Sequence, residues 1–167
     1  MKRIQNVDRK QVDIRLPTIP ATGCHDVPML VDNSTKMVYR KAVHQLARYF
    51  RREFHYDFVQ YDAAILPHET EQIAYLWPHP QTNCYGAEWD TVAVGAVCFA
   101  RRDFPGKQPF QLQWIWIHPF ERHQGLLTSA WPKFIQKFGQ FEGEGPLSAA
   151  MDSFLKKHPK QPEYASL

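Results

Sequence analysis

Along the chain the spacing of apolar residues switches between the period of a helix and that of a strand, and the switches mark the elements. From Asn33 or Ser34, either of which can cap a helix, Tyr39, Val43, Leu46, Phe50 and Phe54 fall on one stripe, which predicts a first helix. Residues 71–77 and 91–99 read as two strands, separated by a polar connection over 79–90 that contains proline and glycine. The second strand is apolar on both faces, as expected of a strand covered by helices on both sides. Residues 55–66 mix aromatics with Asp57 and Asp62 and fit either a strand or a loop lining a cleft.

The pattern is sharpest over residues 111–139. Alternation puts Leu112, Trp114 and Trp116 on one side of a third strand and Gln113, Ile115 and Ile117 on the other. Pro119, with no amide hydrogen to give a ladder, ends that strand, and a polar turn leads to Gly125. Leu127, Ala130, Trp131, Phe134, Ile135 and Phe138 then recur at helical spacing up to Gly139. Pro132 falls inside that helix, so a fresh start capped by Ser129 is expected, with an irregular step between the glycine turn and the main helix. Residues 141–148 offer a next strand, and a last helix follows from Ser148 with Met151, Phe154 and Leu155 inward. Residues 1–33, rich in proline and charge, are expected to wrap the domain as an arm, with one strand near 28–31.

A strand, a glycine turn and a helix together aim backbone N–H groups and the positive end of a helix at whatever lies over the turn, which makes a candidate anion site. Arg122 and His123 would add donors. The run Ile117-His118-Pro119-Phe120-Glu121-Arg122-His123-Gln124-Gly125-Leu126 resembles the acetyl-CoA signature of the GCN5-related N-acetyltransferases, a hydrophobic strand followed by x-P-x-x-(Q/R)-x-x-G-x-(G/A). Leu127 stands where that signature has a second small residue, and its side chain would crowd a pyrophosphate if it faced the turn.

The resemblance covers roughly residues 34–158 and implies an α/β (α+β) fold with a mixed central sheet flanked by helices and a shortened C-terminal region. It implies one acetyltransferase domain over 34–167 preceded by the arm. Acetyl-CoA is the implied cosubstrate, held by Ile115, Trp116, Ile117, Arg122, His123, Gln124, Gly125, Leu126 and Leu127. The implied acceptor is an amine on a small molecule or a protein, attacked directly in a ternary complex, and a homodimer is among the assemblies left open.

Acetyl transfer needs a deprotonated amine, a donor to the carbonyl oxygen and a proton for the departing thiolate. Many relatives carry a glutamate base on the central strand. Here Gln111 and Gln113 occupy its places and cannot take a proton. His118 reads either as the base, directly or through water, or as a histidine of the turn. Glu121 is a second candidate. For the acid, the region of the last helix offers Ser148, Asp152 and His158, and Ser148 reads equally as the helix cap.

Composition changes this picture little. A chain that is 44% hydrophobic and 14% aromatic is expected to pack a core, and 20 Lys and Arg against 17 Asp and Glu is too mild a balance to argue for nucleic acid. Cys24, Cys84 and Cys98 have neither disulfide nor zinc spacing, and the scattered histidines suggest no metal site. No apolar run has the length of a membrane span, and a cytoplasmic protein is expected. Two other readings stay open: a non-catalytic CoA-binding relative, or a nucleic-acid or protein-binding module using the basic face of helix 36–52, with Lys36, Arg40, Lys41, Arg48, Arg51 and Arg52.

Overall fold

The computed structural model describes residues 14–20, 27–64, 71–82 and 88–158. The expectations for Cys24, Cys84 and the first and last residues of the chain lie outside these. In chain order the elements are β1 (Thr18–Ile19), β2 (Met29–Val31), α1 (Met37–Phe54), β3 (Gln72–Thr82), β4 (Glu88–Arg101), β5 (Phe110–Ile117), α2 (Leu126–Phe138) and α3 (Ala149–Lys157). The five strands form one sheet through antiparallel ladders, and one parallel bridge, Leu112 with Gly143, joins β5 to the segment before α3.

β4 is the longest strand and organises the rest. β3 runs along one of its edges, while β1 and β5 share the other, β1 at Thr91–Val92 and β5 from Gly95 to Arg101. Both faces of β4 are apolar, and each is covered as the sequence predicts. Ala96 and Cys98 pack with Val43, Leu46 and Phe50 of α1, while Val97 and Phe99 pack with Trp131, Phe134 and Phe138 of α2 and Met151 of α3. The result is an α+β layer structure with α1 on one face and the two later helices on the other.

Several boundaries move for physical reasons. α1 starts at Met37 with no side-chain cap, because Asp32, not Asn33 or Ser34, gathers the local donors: its carboxylate accepts from Ser34 N, Ser34 Oγ and Thr35 Oγ1. β3 and β4 extend into the predicted connection and still pair at Thr82 and Glu88. Prolines 78 and 80 are tolerated in β3 because its second neighbour, β2, stops at Leu76 and the register shifts between Trp77 and Pro78. Residues 141–148 do not form a full strand and make only the single bridge at Gly143.

Two corrections bear on the site. The register shifts between Cys98 and Phe99, so that Trp114 pairs with Cys98 while Leu112 pairs with Phe99, and Gln113 is the extra residue. The bulge turns Leu112 away from Trp114 and Trp116. Those two indoles join the α1 core, and Leu112 joins Ile115 and Ile117 on the α2 side. Secondly, α2 runs without a break from Leu126 through Pro132, and Ser129 Oγ merely donates to Leu126 O. The expected fresh start at Ser129 does not occur, since exposed Pro132 costs one hydrogen bond in a helix held on its other side by Ala130, Trp131, Phe134 and Phe138.

Where β4 pairs with the end of β5, Gly95 opposite Ile117 is required: a Cβ there would lie 3.0 Å from the Trp116 carbonyl oxygen and 3.0 Å from Ile117 Cγ1. A backbone oxygen in a ladder cannot yield as a side chain can. Gly95→Val is expected to lower stability by about 1–3 kcal/mol, read as a reduced denaturation midpoint in urea with an unchanged slope.

Candidate functional site

The site is built where β5 runs out of partners. At its start, β5 is fastened to the following segment: Leu112 N donates to Glu142 O, Glu144 N donates to Leu112 O, and Gln111 Oε1 accepts from Glu142 N at 2.6 Å. Lys107 to Glu142 at 2.6 Å and Arg102 to Glu144 at 2.7 Å tie the same segment to the β4–β5 connection. Beyond Glu144 the backbones part. His118 N bonds Val94 O across to β4, so by alternation the Trp114 and Trp116 amides also face β4, and those of Ile115 and Ile117 face the open edge.

Between the parted backbones lies a cleft of about 410 Å³, lined by Phe50, Phe54, His55, Tyr56 and Asp57 from the end of α1, Leu112 to Ile115 of β5, and Glu144, Pro146, Leu147, Ser148 and Met151. This settles the undecided segment after α1 as a loop beside a cleft. It also explains why Phe54, on the apolar stripe of α1, remains 36% exposed. Tyr56 bridges the opening, its ring stacked on Phe50 at 5.0 Å and its hydroxyl donating to Pro146 O at 2.9 Å.

At the other end of β5 the chain makes a 3-10 turn, Pro119–Glu121, and passes through Gly125, in the left-handed region at φ 81°, into α2. The first helical bond of α2 runs from Ser129 N to Gly125 O, and no side chain caps the helix. The amides of Leu126, Leu127 and Thr128 are therefore orphan donors at an exposed turn. Leu127 is half-buried and packs on the α2 core, so it does not crowd the turn as the sequence allowed. His123 and Gln124 are exposed beside it.

Arg122 behaves differently from expectation. Its Nη1 and Nη2 form a two-pronged pair with Glu53 of α1 at 2.8 and 2.7 Å, its Nε donates to Ile117 O at 2.8 Å, and Glu53 Oε2 also accepts from Trp116 Nε1 at 2.8 Å. The guanidinium is thus committed to a strut between α1 and the turn, leaving backbone amides and His123 to face an anion. Partial burial works against the Glu53 charge, but Arg122 and Trp116 more than offset it and hold the carboxyl below its usual range.

The candidate acid–base groups are dispersed. His118 is 9% exposed, its ring edge-on to Trp116, and its Nδ1 accepts from Phe120 N. Burial pushes its pKa down, Glu121 opposes this and Arg122 adds to it, so the neutral form is favoured. Neither His118 nor Glu121 lines the cleft. Ser148 does, and its Oγ caps α3 by accepting from Met151 N, which leaves its own O–H free to donate. The two glutamines in the place of a base are structural: Gln111 holds Glu142, and Gln113 Oε1 accepts from Gln72 Nε2 at 2.8 Å. Cys98 is buried, and desolvation drives its thiol well above the ordinary range, as expected of a core residue.

The sequence reading left residues 55–66 open between a strand and a cleft-lining loop and gave His55, Tyr56 and Asp57 no role in the site. Their only signal was a polar, aromatic run straight after an amphipathic helix. On the basic face of α1, Lys41, His44, Arg48 and Arg52 line a separate groove with Asp62.

No protein-family profile and no curated protein matches this chain. Among solved structures, it is similar to a ribosomal-protein-alanine N-acetyltransferase from Brucella melitensis biovar Abortus 2308, with 14% identity over 83% of this chain and 95% of that one and a TM-score of 0.42. Among the described residues no helix is long and apolar enough to cross a membrane.

The Glu53–Arg122 pair is expected to couple by about 0.5–3 kcal/mol in a double-mutant cycle of Glu53→Gln and Arg122→Gln, measured by chemical denaturation. Because the folded carboxyl titrates below its unfolded value of about 4.3, its contribution is present above that value and lost as pH falls through the folded one. Glu53→Gln should therefore flatten the acid limb of stability against pH. His118, also depressed, makes stability rise with pH in the window just below the ordinary imidazole value of about 6.5. His118→Gln should remove that slope, and an unchanged slope would assign it to another group.

Proposed function

We propose that this protein transfers an acetyl group from acetyl-CoA to an amine by direct attack in a ternary complex. The observation that carries the reading is the parting of β5 from the 142–148 segment after one bridge, with an uncapped helix start beyond the other end of the strand. A strand edge with outward amides at Ile115 and Ile117 suits a ligand that itself bears amides, as the pantetheine arm does. At the far end, the amides of Leu126, Leu127 and Thr128 with His123 suit its pyrophosphate.

In this reading the Ile117 N–H holds the pantetheine arm, and the Ile115 N–H, on the strand edge beside the cleft that Ser148 lines, donates to the thioester carbonyl oxygen as negative charge develops there. The Ser148 hydroxyl, facing the cleft, is the donor to the departing thiolate. Arg122 acts by holding the turn against α1 rather than by touching phosphate. His118, with Nδ1 engaged and the ring buried, packs the junction of strand and turn.

Excess acetyl-CoA at roughly a hundred times its dissociation constant should add about 2.7 kcal/mol and raise the thermal midpoint by about 5–10 °C, with CoA acting similarly and ATP not. Gly125→Glu puts a carboxylate on the turn and a side chain in the left-handed region, and it should abolish the shift. Acetyl-CoA protection that survives in Gly125→Glu would refute the placement of the pyrophosphate. Glu53→Gln separates the roles of Arg122: weaker acetyl-CoA binding supports the strut, while tighter binding would mean that the freed guanidinium meets the phosphate.

A further inference from the structure

The acetyl-transfer reading leaves the acceptor amine without a base, since the central strand carries glutamines and His118 is buried away from the cleft. Backbone conformation points to another group. Among the described residues, the non-glycine residues with positive φ are two histidines, His55 at 59° and His123 at 63°. His123 belongs to the turn, and His55 lines the cleft at the end of α1.

A left-handed residue closing a helix is ordinarily glycine or asparagine, because a larger side chain is strained there. Histidine at this place gives up stability that glycine would keep, and such exceptions cluster where a side chain is needed. The His55 imidazole is exposed and makes no hydrogen bond among the described residues. Its backbone is nonetheless fixed: the cap amide bonds Arg51 O, and the next residue, Tyr56, is stacked on Phe50 and bonded to Pro146 O across the opening.

The lining also bears on the acceptor. Phe50, Phe54, Trp114, Leu147 and Met151 make most of the wall apolar, whereas the Asp57 carboxylate is exposed and has no cation paired with it among the described residues. Such a site takes one positive charge and an apolar body.

We propose that His55 takes the proton from the acceptor, and that the acceptor is a primary monoamine on an aromatic or branched aliphatic body. This rests on the acetyl-transfer reading. The amine lone pair forms the C–N bond at the thioester carbon, the C–S bond breaks, and CoA leaves as a thiolate that is protonated. The proton shed by nitrogen passes to the imidazole and on to solvent.

The test follows CoA thiol release by wild type, His55→Asn and His55→Gly with phenethylamine, and with spermidine as a polycationic comparator. Both variants suit the left-handed region, so their thermal midpoints should equal or exceed the wild type. kcat/KM for phenethylamine should fall by about 10²–10⁴-fold, and free imidazole should restore part of the activity of His55→Gly. Activity near wild type in His55→Asn would overturn the role of His55. Release of CoA with spermidine but not phenethylamine would overturn the acceptor class. An acetyl-CoA thermal shift without turnover of either amine would overturn this proposal and leave the cosubstrate reading standing; no thermal shift would overturn the reading beneath it.

Discussion

The candidate site depends on β5 being paired along one edge and only once along the other. The β4 ladder pairs the strand on both sides of the Gln113 bulge, and from Trp114 to Ile117 it fixes the outward amides without help from the far side. The bridge at Leu112 and Gly143 then sets where the second edge closes. Gln111, Lys107 and Arg102 all grip the segment at Glu142–Glu144, and none grips it further along. A full parallel strand here would satisfy the amides of Ile115 and Ile117 internally and leave no cleft. Strength at one end and freedom at the other is what makes the opening.

The second constraint is the Glu53 carboxylate. It receives two hydrogen bonds from Arg122 and one from Trp116, and Arg122 in turn holds Ile117 O. Four parts of the molecule meet in that knot: the last turn of α1, the core face of β5, the end of β5 and the glycine turn. Charge-assisted bonds in a half-buried setting are stronger and more directional than surface pairs. The cleft wall contributed by α1 and the turn that opens α2 are thereby kept in a fixed relation. This explains why an arginine in a signature-like position does not face the turn's exterior.

The same economy shows in side chains that look chemical in sequence but are structural in space. Gln111 and Gln113 each hold another segment of the chain, and His118 is packed between Trp116 and Phe120. The polar groups of the cleft come instead from the loop after α1 and from Ser148, which caps α3 and still has its O–H to donate. That loop is positioned by Tyr56, whose ring stacks on Phe50 and whose hydroxyl reaches Pro146.

By itself the sequence determined the elements whose information is local. The stripe of α1, the two-sided apolar run of β4, the end of β5 at Pro119 and the glycine that opens α2 all follow from period, steric restriction and the missing hydrogen of proline. The tertiary structure alone decided what depends on pairing between distant residues. The bulge at Gln113 turned Leu112 to the other face because the β4 register required it, and α2 ran through Pro132 because packing on the sheet outweighed one lost bond. Arg122 met Glu53, 69 positions away, and His55 came to line one cleft with Leu147. Neither meeting has a local signature, since side-chain chemistry names a residue's possible partners and only the path of the chain selects among them.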